Sequence, residues 1–155
     1  MPLRVLIIQS EPKDAQELTR FFKERGDEVW GAWNLGQADG LLDQIRPGLI
    51  VLDIHLPDSE WTNFLKRATQ RTGSQVIVTS RHPDMTREMM AQSAGVSAFL
   101  RAPFKPEWIE RALGRMGQRT VPRTKPILPK VRTPVRLKIT VPYLLLSLLL
   151  ALGVA

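Results

Sequence analysis

Apolar residues fall along the first 118 positions in two alternating rhythms. Five short runs, 3–8, 28–33, 49–52, 75–79 and 98–100, are rich in Leu, Ile and Val and are predicted to be strands. Several are continuously apolar, as strands buried on both faces require. Between them the apolar positions recur at helical spacing. Residues 13–25 place Ala15, Leu18, Phe21 and Phe22 on one stripe and stop at Gly26. Residues 35–46 place Leu35, Ala38, Leu41, Leu42 and Ile45 likewise, ahead of Pro47 and Gly48. Three more stripes follow: Trp61, Phe64, Leu65 and Ala68; Met85, Met89, Met90 and Ala94; and Trp108, Ile109, Leu113 and Met116.

Strand and helix alternating five times predict an α/β fold, a (βα)5 chain with a five-stranded parallel sheet covered by helices on both faces. Ligands of such sheets sit at the carboxyl ends of the strands. The residues to inspect are therefore 9–11, 53–55, 80–82 and 101–104. Asp53 stands out because it follows the most apolar run, Leu49-Ile50-Val51-Leu52, and places a carboxylate at the sheet rim.

The segment Asp53-Ile54-His55-Leu56-Pro57-Asp58 resembles the phosphoacceptor loop of bacterial response regulator receiver (CheY-like) domains. Residues 4–8 look like the first strand of that family, Ser80-Arg81-His82 like the end of its fourth, and Phe99-Leu100-Arg101-Ala102-Pro103-Phe104 like its Lys-Pro-Phe segment. The resemblance implies a flavodoxin-like receiver over residues 1–118. It further implies that Asp53 is the phosphoacceptor, Ser80 a phosphoryl contact and Phe99 the switch aromatic. In the family an acidic pair after the first strand holds a divalent cation beside the acceptor, and a lysine after the fifth strand binds phosphoryl oxygens. Bringing anionic groups together requires such cations.

Three positions depart from that pattern. The acidic pair falls on Gln9 and Ser10, and the lysine falls on Ala102. Mg²⁺ favours carboxylates and water, so neither neutral side chain is a strong ligand. Glu11 with Asp53 is the remaining metal-ligating combination, and Mg²⁺ is expected only if phosphorylation is retained. Glu11 is otherwise expected to start a helix with Pro12. Losing both cations removes several kcal/mol of help to phosphoryl transfer. The expectation is a degenerate, or pseudo-, receiver that docks a signalling protein, either a histidine kinase or an output partner. A true phosphoacceptor regulator, phosphorylated on Asp53 by a histidine kinase, is the alternative. His55, His82 and Arg101 are expected at the loop surface. Trp61 is expected as a helix-face anchor, and Trp30 and Trp33 as packing residues. Met89, Phe99, Arg101 and Trp108 are expected to contribute to the partner face.

Charge sharpens the domain organisation. Residues 1–118 hold 15 Lys/Arg and 15 Asp/Glu, so the net charge of +7 lies wholly in residues 119–138, with seven Lys/Arg and no acid. Four prolines, at 122, 126, 129 and 134, block helix and ladder alike there, giving a basic Pro-rich linker. The high pI is thus not that of a basic folded domain, and no nucleic-acid partner is expected. An adaptor for nucleic acid or anionic lipid through 119–138 is a second alternative. Residues 139–155 carry no charge and are mostly leucine. At roughly 1.5 Å per residue they span about 25 Å, near the ~30 Å of a bilayer core. They are expected to be a transmembrane segment, with the preceding cations on the cytoplasmic face and against anionic lipid. Without Cys there is no disulfide framework or thiolate site. With no Gly-rich phosphate loop either, enzyme chemistry is not expected.

Overall fold

The computed structural model describes residues 1–118, which form ten elements in strict alternation. These are β1 (Arg4–Ile8), α1 (Pro12–Glu24), β2 (Glu28–Ala32), α2 (Leu35–Ile45), β3 (Leu49–Asp53), α3 (Trp61–Thr72), β4 (Gln75–Ser80), α4 (Met85–Ser93), β5 (Ala98–Arg101) and α5 (Pro106–Gln118). All pairings are parallel, in the order β2-β1-β3-β4-β5. The expected (βα)5 fold is what forms.

Two-residue alternation along the strands divides the core into two layers. Leu6, Ile8, Ile50, Leu52, Val76 and Val78 pack with α2, α3 and α4 residues such as Leu42, Trp61, Phe64 and Ala91. Val5, Ile7, Leu49, Val51 and Ile77 pack with Leu18 and Phe22 of α1 and Ile109, Ala112 and Met116 of α5. The central strand β3 is buried along its whole length, which accounts for its unbroken apolar run.

Local chemistry sets the helix ends. Pro12 opens α1 at a position whose missing N–H costs nothing. Asn34 caps α2, its side chain accepting from Gln37 N at 2.9 Å, and Asp84 caps α4 by accepting from Arg87 N at 3.0 Å. Gly73 ends α3 in the left-handed region at φ +67°.

Several boundaries differ from the periodicity reading. β3, β4 and β5 each run one residue further, taking Asp53, Ser80 and Arg101 into the sheet. β2 stops at Ala32, so Trp33 lies beyond the ladder, 55% exposed rather than packed. Trp61 is buried as the anchor of α3. Among the described residues no helix is long and apolar enough to cross a membrane. The linker at 119–138 and the apolar segment at 139–155 lie outside them.

Candidate functional site

Asp53 ends β3 at the carboxyl edge of the sheet and is only 6% exposed. Its alternation with Leu49 and Val51 turns the side chain toward the layer of α1 and α5. Each carboxylate oxygen accepts one hydrogen bond. Ser10 Oγ donates to Oδ2 at 2.7 Å, and the backbone N–H of His55 donates to Oδ1 at 2.8 Å. No salt bridge to Asp53 exists among the described residues.

Two bridges cross β3 at this edge of the sheet. Gln9 is fully buried after β1, and its Nε2 donates to Thr79 Oγ1 of β4 at 2.8 Å. Since β3 lies between β1 and β4, this bond passes over β3 on the face carrying Asp53. Thr79 is also the register partner of Asp53. The second bridge runs from Arg81, just past β4, whose Nη2 donates to Asp14 Oδ1 at 2.6 Å. Asp14 sits buried in the first turn of α1, which packs on β1 and β2. This bridge too spans the end of β3. The pKa of Arg81 is raised, first by the hydrogen bond to Asp14, then by the charge of Asp14, against a lowering from desolvation. Glu11 and Glu17 add smaller raising contributions.

The remaining expected residues separate. Ser80 makes no hydrogen bond to Asp53. Its Oγ meets His55 Nε2 at 3.1 Å and donates to the His82 carbonyl. His55 Nε2 also lies 3.2 Å from that carbonyl oxygen. His55 is therefore a half-buried partner of Ser80 rather than a free surface residue. Ala102 packs against the α1 and α5 layer and brings no charge. Phe99 is half-buried against the other layer. Glu11 is exposed at the start of α1, and no side-chain hydrogen bond fixes it there.

The partner-face residues also divide between two hollows. Met89 lines a groove of about 420 Å³ between α3 and α4 with Thr62, Lys66, Thr86 and Met90. Phe99, Arg101 and Trp108 line another, of about 470 Å³, with Arg111 and Arg115. Arg101 is exposed and pairs with Glu88 at 2.9 Å.

The acceptor loop is held by residues that motif reading passed over. Arg87 Nη1 donates to the carbonyl of Ile54 and, at 3.5 Å, to that of Leu56. Asp58 accepts from Leu35 N at 3.2 Å, tying the loop to α2. Thr79, Asp14 and Arg87 left no sequence signal, and Arg81, although inside the inspected stretch 80–82, gave no sign of its partner. Arg81 and Asp14 are 67 positions apart, and only strand order brings them together.

The residues present do not fit a divalent cation. Among the described residues no three of His, Asp and Glu cluster closely enough to hold one. Ser10 takes one oxygen of Asp53, and the only unpartnered oxygen on Gln9, Oε1, is neutral. Mg²⁺ demands near-octahedral hard oxygen ligands, usually with carboxylates among them.

Similarity to known proteins agrees with this architecture. The chain is 31% identical over 121 residues to the transcriptional regulatory protein DpiA of Escherichia coli strain K12, covering 76% of this chain and 54% of that protein. It is 23% identical over 117 residues to the DNA-binding response regulator MtrA of Mycolicibacterium smegmatis, covering 75% and 51%. The chain thus spans about half the length of these relatives. Among solved structures, a two-component response regulator from Clostridium difficile superposes with a TM-score of 0.68 at 22% identity, covering 76% of this chain and 97% of that one. A CheY-like receiver domain protein from Methanospirillum hungatei gives 0.65 at 22% identity, covering 76% and 99%. The model of the response regulator receiver domain matches residues 5–114, and the chain belongs to that family.

Proposed function

We propose that this receiver domain of two-component signalling is a pseudo-receiver. It acts by docking a signalling protein, a histidine kinase or an output partner, and not by taking a phosphoryl group with any efficiency. The observation that carries this reading is the state of Asp53. Its carboxylate is buried, bonded to Ser10 Oγ and His55 N, and without an ion pair among the described residues. A nucleophile with both oxygens engaged and no cation to screen an incoming phosphate attacks slowly. Gln9, Ser10 and Ala102 supply none of the missing charge. On this reading the domain is not an enzyme and needs no cofactor. Docking surface is available in Met85, Met89 and Trp108, which are 78%, 62% and 40% exposed. Residues 139–155 insert in the membrane and 119–138 lie on its anionic cytoplasmic face, tethering the domain there.

Intact-mass spectrometry of the full chain after incubation with a small phosphodonor and Mg²⁺ tests this, with Asp53→Asn alongside. No adduct is expected on either protein. A phosphoryl adduct on the native chain, absent from Asp53→Asn, would establish instead a true phosphoacceptor.

A further inference from the structure

The edge of the sheet opposite Asp53, where the strands begin, holds a hollow of about 470 Å³. Three exposed arginines line it, Arg4 at the start of β1, Arg46 after α2 and Arg71 near the end of α3, and no carboxylate does. Arg71 is held from one side by Asp39 and Asp43. Arg4 and Arg46 make no ion pair among the described residues. Glu28 is the register partner of Arg4, yet no ion pair joins the two. Arg46 is the one described non-glycine residue with positive φ, at +44°. Glycine or asparagine usually fills that place after a helix, so backbone geometry does not account for an arginine. A side chain kept at such a position points to a use for it.

The last helix ends at this same edge. Gln75, which opens β4, donates through its backbone N–H to the Gly48 carbonyl at 3.0 Å, and Gly48 lines the hollow. The Gln75 side chain donates to the carbonyl of Met116, near the end of α5, at 3.5 Å. In sequence, the seven Lys/Arg of 119–138 and the uncharged run 139–155 follow directly. We infer that the hollow takes the phosphate of an anionic lipid headgroup, seating this edge on the membrane and turning the Asp53 edge toward the cytoplasm. The inference rests on the tethered reading proposed above and deepens it. Guanidinium groups bind phosphate oxygens through a fixed planar fork. Each arginine near a lipid surface contributes little alone, but a tether keeps the headgroups at high effective concentration. Free phosphate offers the same chemistry. The lipid is the committed ligand because the tether starts at this edge.

The chain has no Cys, so single labelling sites are simple to introduce. The full chain carries a fluorescent donor at Gln70→Cys, beside the hollow, or at Ser59→Cys, at the Asp53 edge. Both residues are exposed. Each protein is reconstituted in nanodiscs with acceptor-labelled headgroups. In discs containing phosphatidylglycerol, energy transfer from position 70 is expected to exceed that from position 59. In pure phosphatidylcholine discs the two should converge. Arg4→Gln and Arg46→Gly should each lower the ratio of docked to undocked domain about fivefold. Arg46→Gly suits the left-handed backbone, so its effect is not one of misfolding. Equal transfer from both positions in anionic discs would overturn the inference, as would a difference that survives Arg4→Gln/Arg46→Gly. Loss of the difference on adding inorganic phosphate at constant ionic strength would assign the hollow to free phosphate and overturn lipid docking. The tethered reading fails separately: a chain that does not co-elute with the discs overturns it, and lipid docking with it.

Discussion

Asp53 shows how a side chain's chemistry is set by what occupies its neighbours. Its oxygens are held by a hydroxyl and a backbone N–H, so the carboxylate is satisfied by dipoles instead of ions. Beside it, Gln9 spends its amide N–H on Thr79 and leaves Oε1 buried without a partner. Breaking that bond from one end has a defined cost. Thr79→Val would strand the buried Gln9 Nε2 and lower stability by about 1–3 kcal/mol, read as a lower urea midpoint. Replacing both ends, as in Gln9→Leu/Thr79→Val, should recover most of that loss, because no buried donor is left unpaired. A double variant no more stable than Thr79→Val would show that the pair does more than satisfy itself.

Among the elements, α4 is the most lightly held. Of its nine residues only Ala91 is buried, and Met85, Met89 and Met90 are exposed. Its position depends on its first turn. Asp84 caps the helix and pairs with Arg87 Nε at 3.6 Å, while Arg87 reaches the acceptor-loop carbonyls. Asp84→Ala is expected to cost about 1 kcal/mol, confined to this helix. Amide hydrogen exchange should then speed up about fivefold in α4 and stay unchanged in β1 and β3. Uniform acceleration across the domain would mean that α4 is part of the global folding unit. The contrast with α3 is large. Trp61, Phe64, Leu65 and Ala68 are all buried there, so Trp61→Ala would cost about 3–5 kcal/mol.

The whole chain joins a charge-balanced receiver domain to a basic segment and an uncharged apolar one. If residues 139–155 span the bilayer, the full chain will resist carbonate extraction from membranes. A chain ending at residue 118 will be released, since the seven Lys/Arg of 119–138 are lost with the span. Release of the full chain by carbonate, with retention at low salt, would instead make the basic segment a peripheral lipid contact.

The sequence by itself determined the order of elements, the two-sided burial of β3 and the position of Asp53 at a strand end. Each follows from local periodicity, which a single chain displays directly. It also determined that positions 9, 10 and 102 carry no charge, because residue identity needs no fold. Only the tertiary structure decided how the pocket is filled. Adjacent hydroxyls at Thr79 and Ser80 look equivalent in sequence, yet strand alternation sends one to Gln9 and the other to His55. Trp33 reads as part of an apolar run, yet the ladder ends one residue earlier. The Arg81–Asp14 bridge joins residues 67 apart. It exists because a parallel sheet in the order β2-β1-β3-β4-β5 sets the end of β4 across β3 from α1, a relation set by strand order and invisible to local spacing.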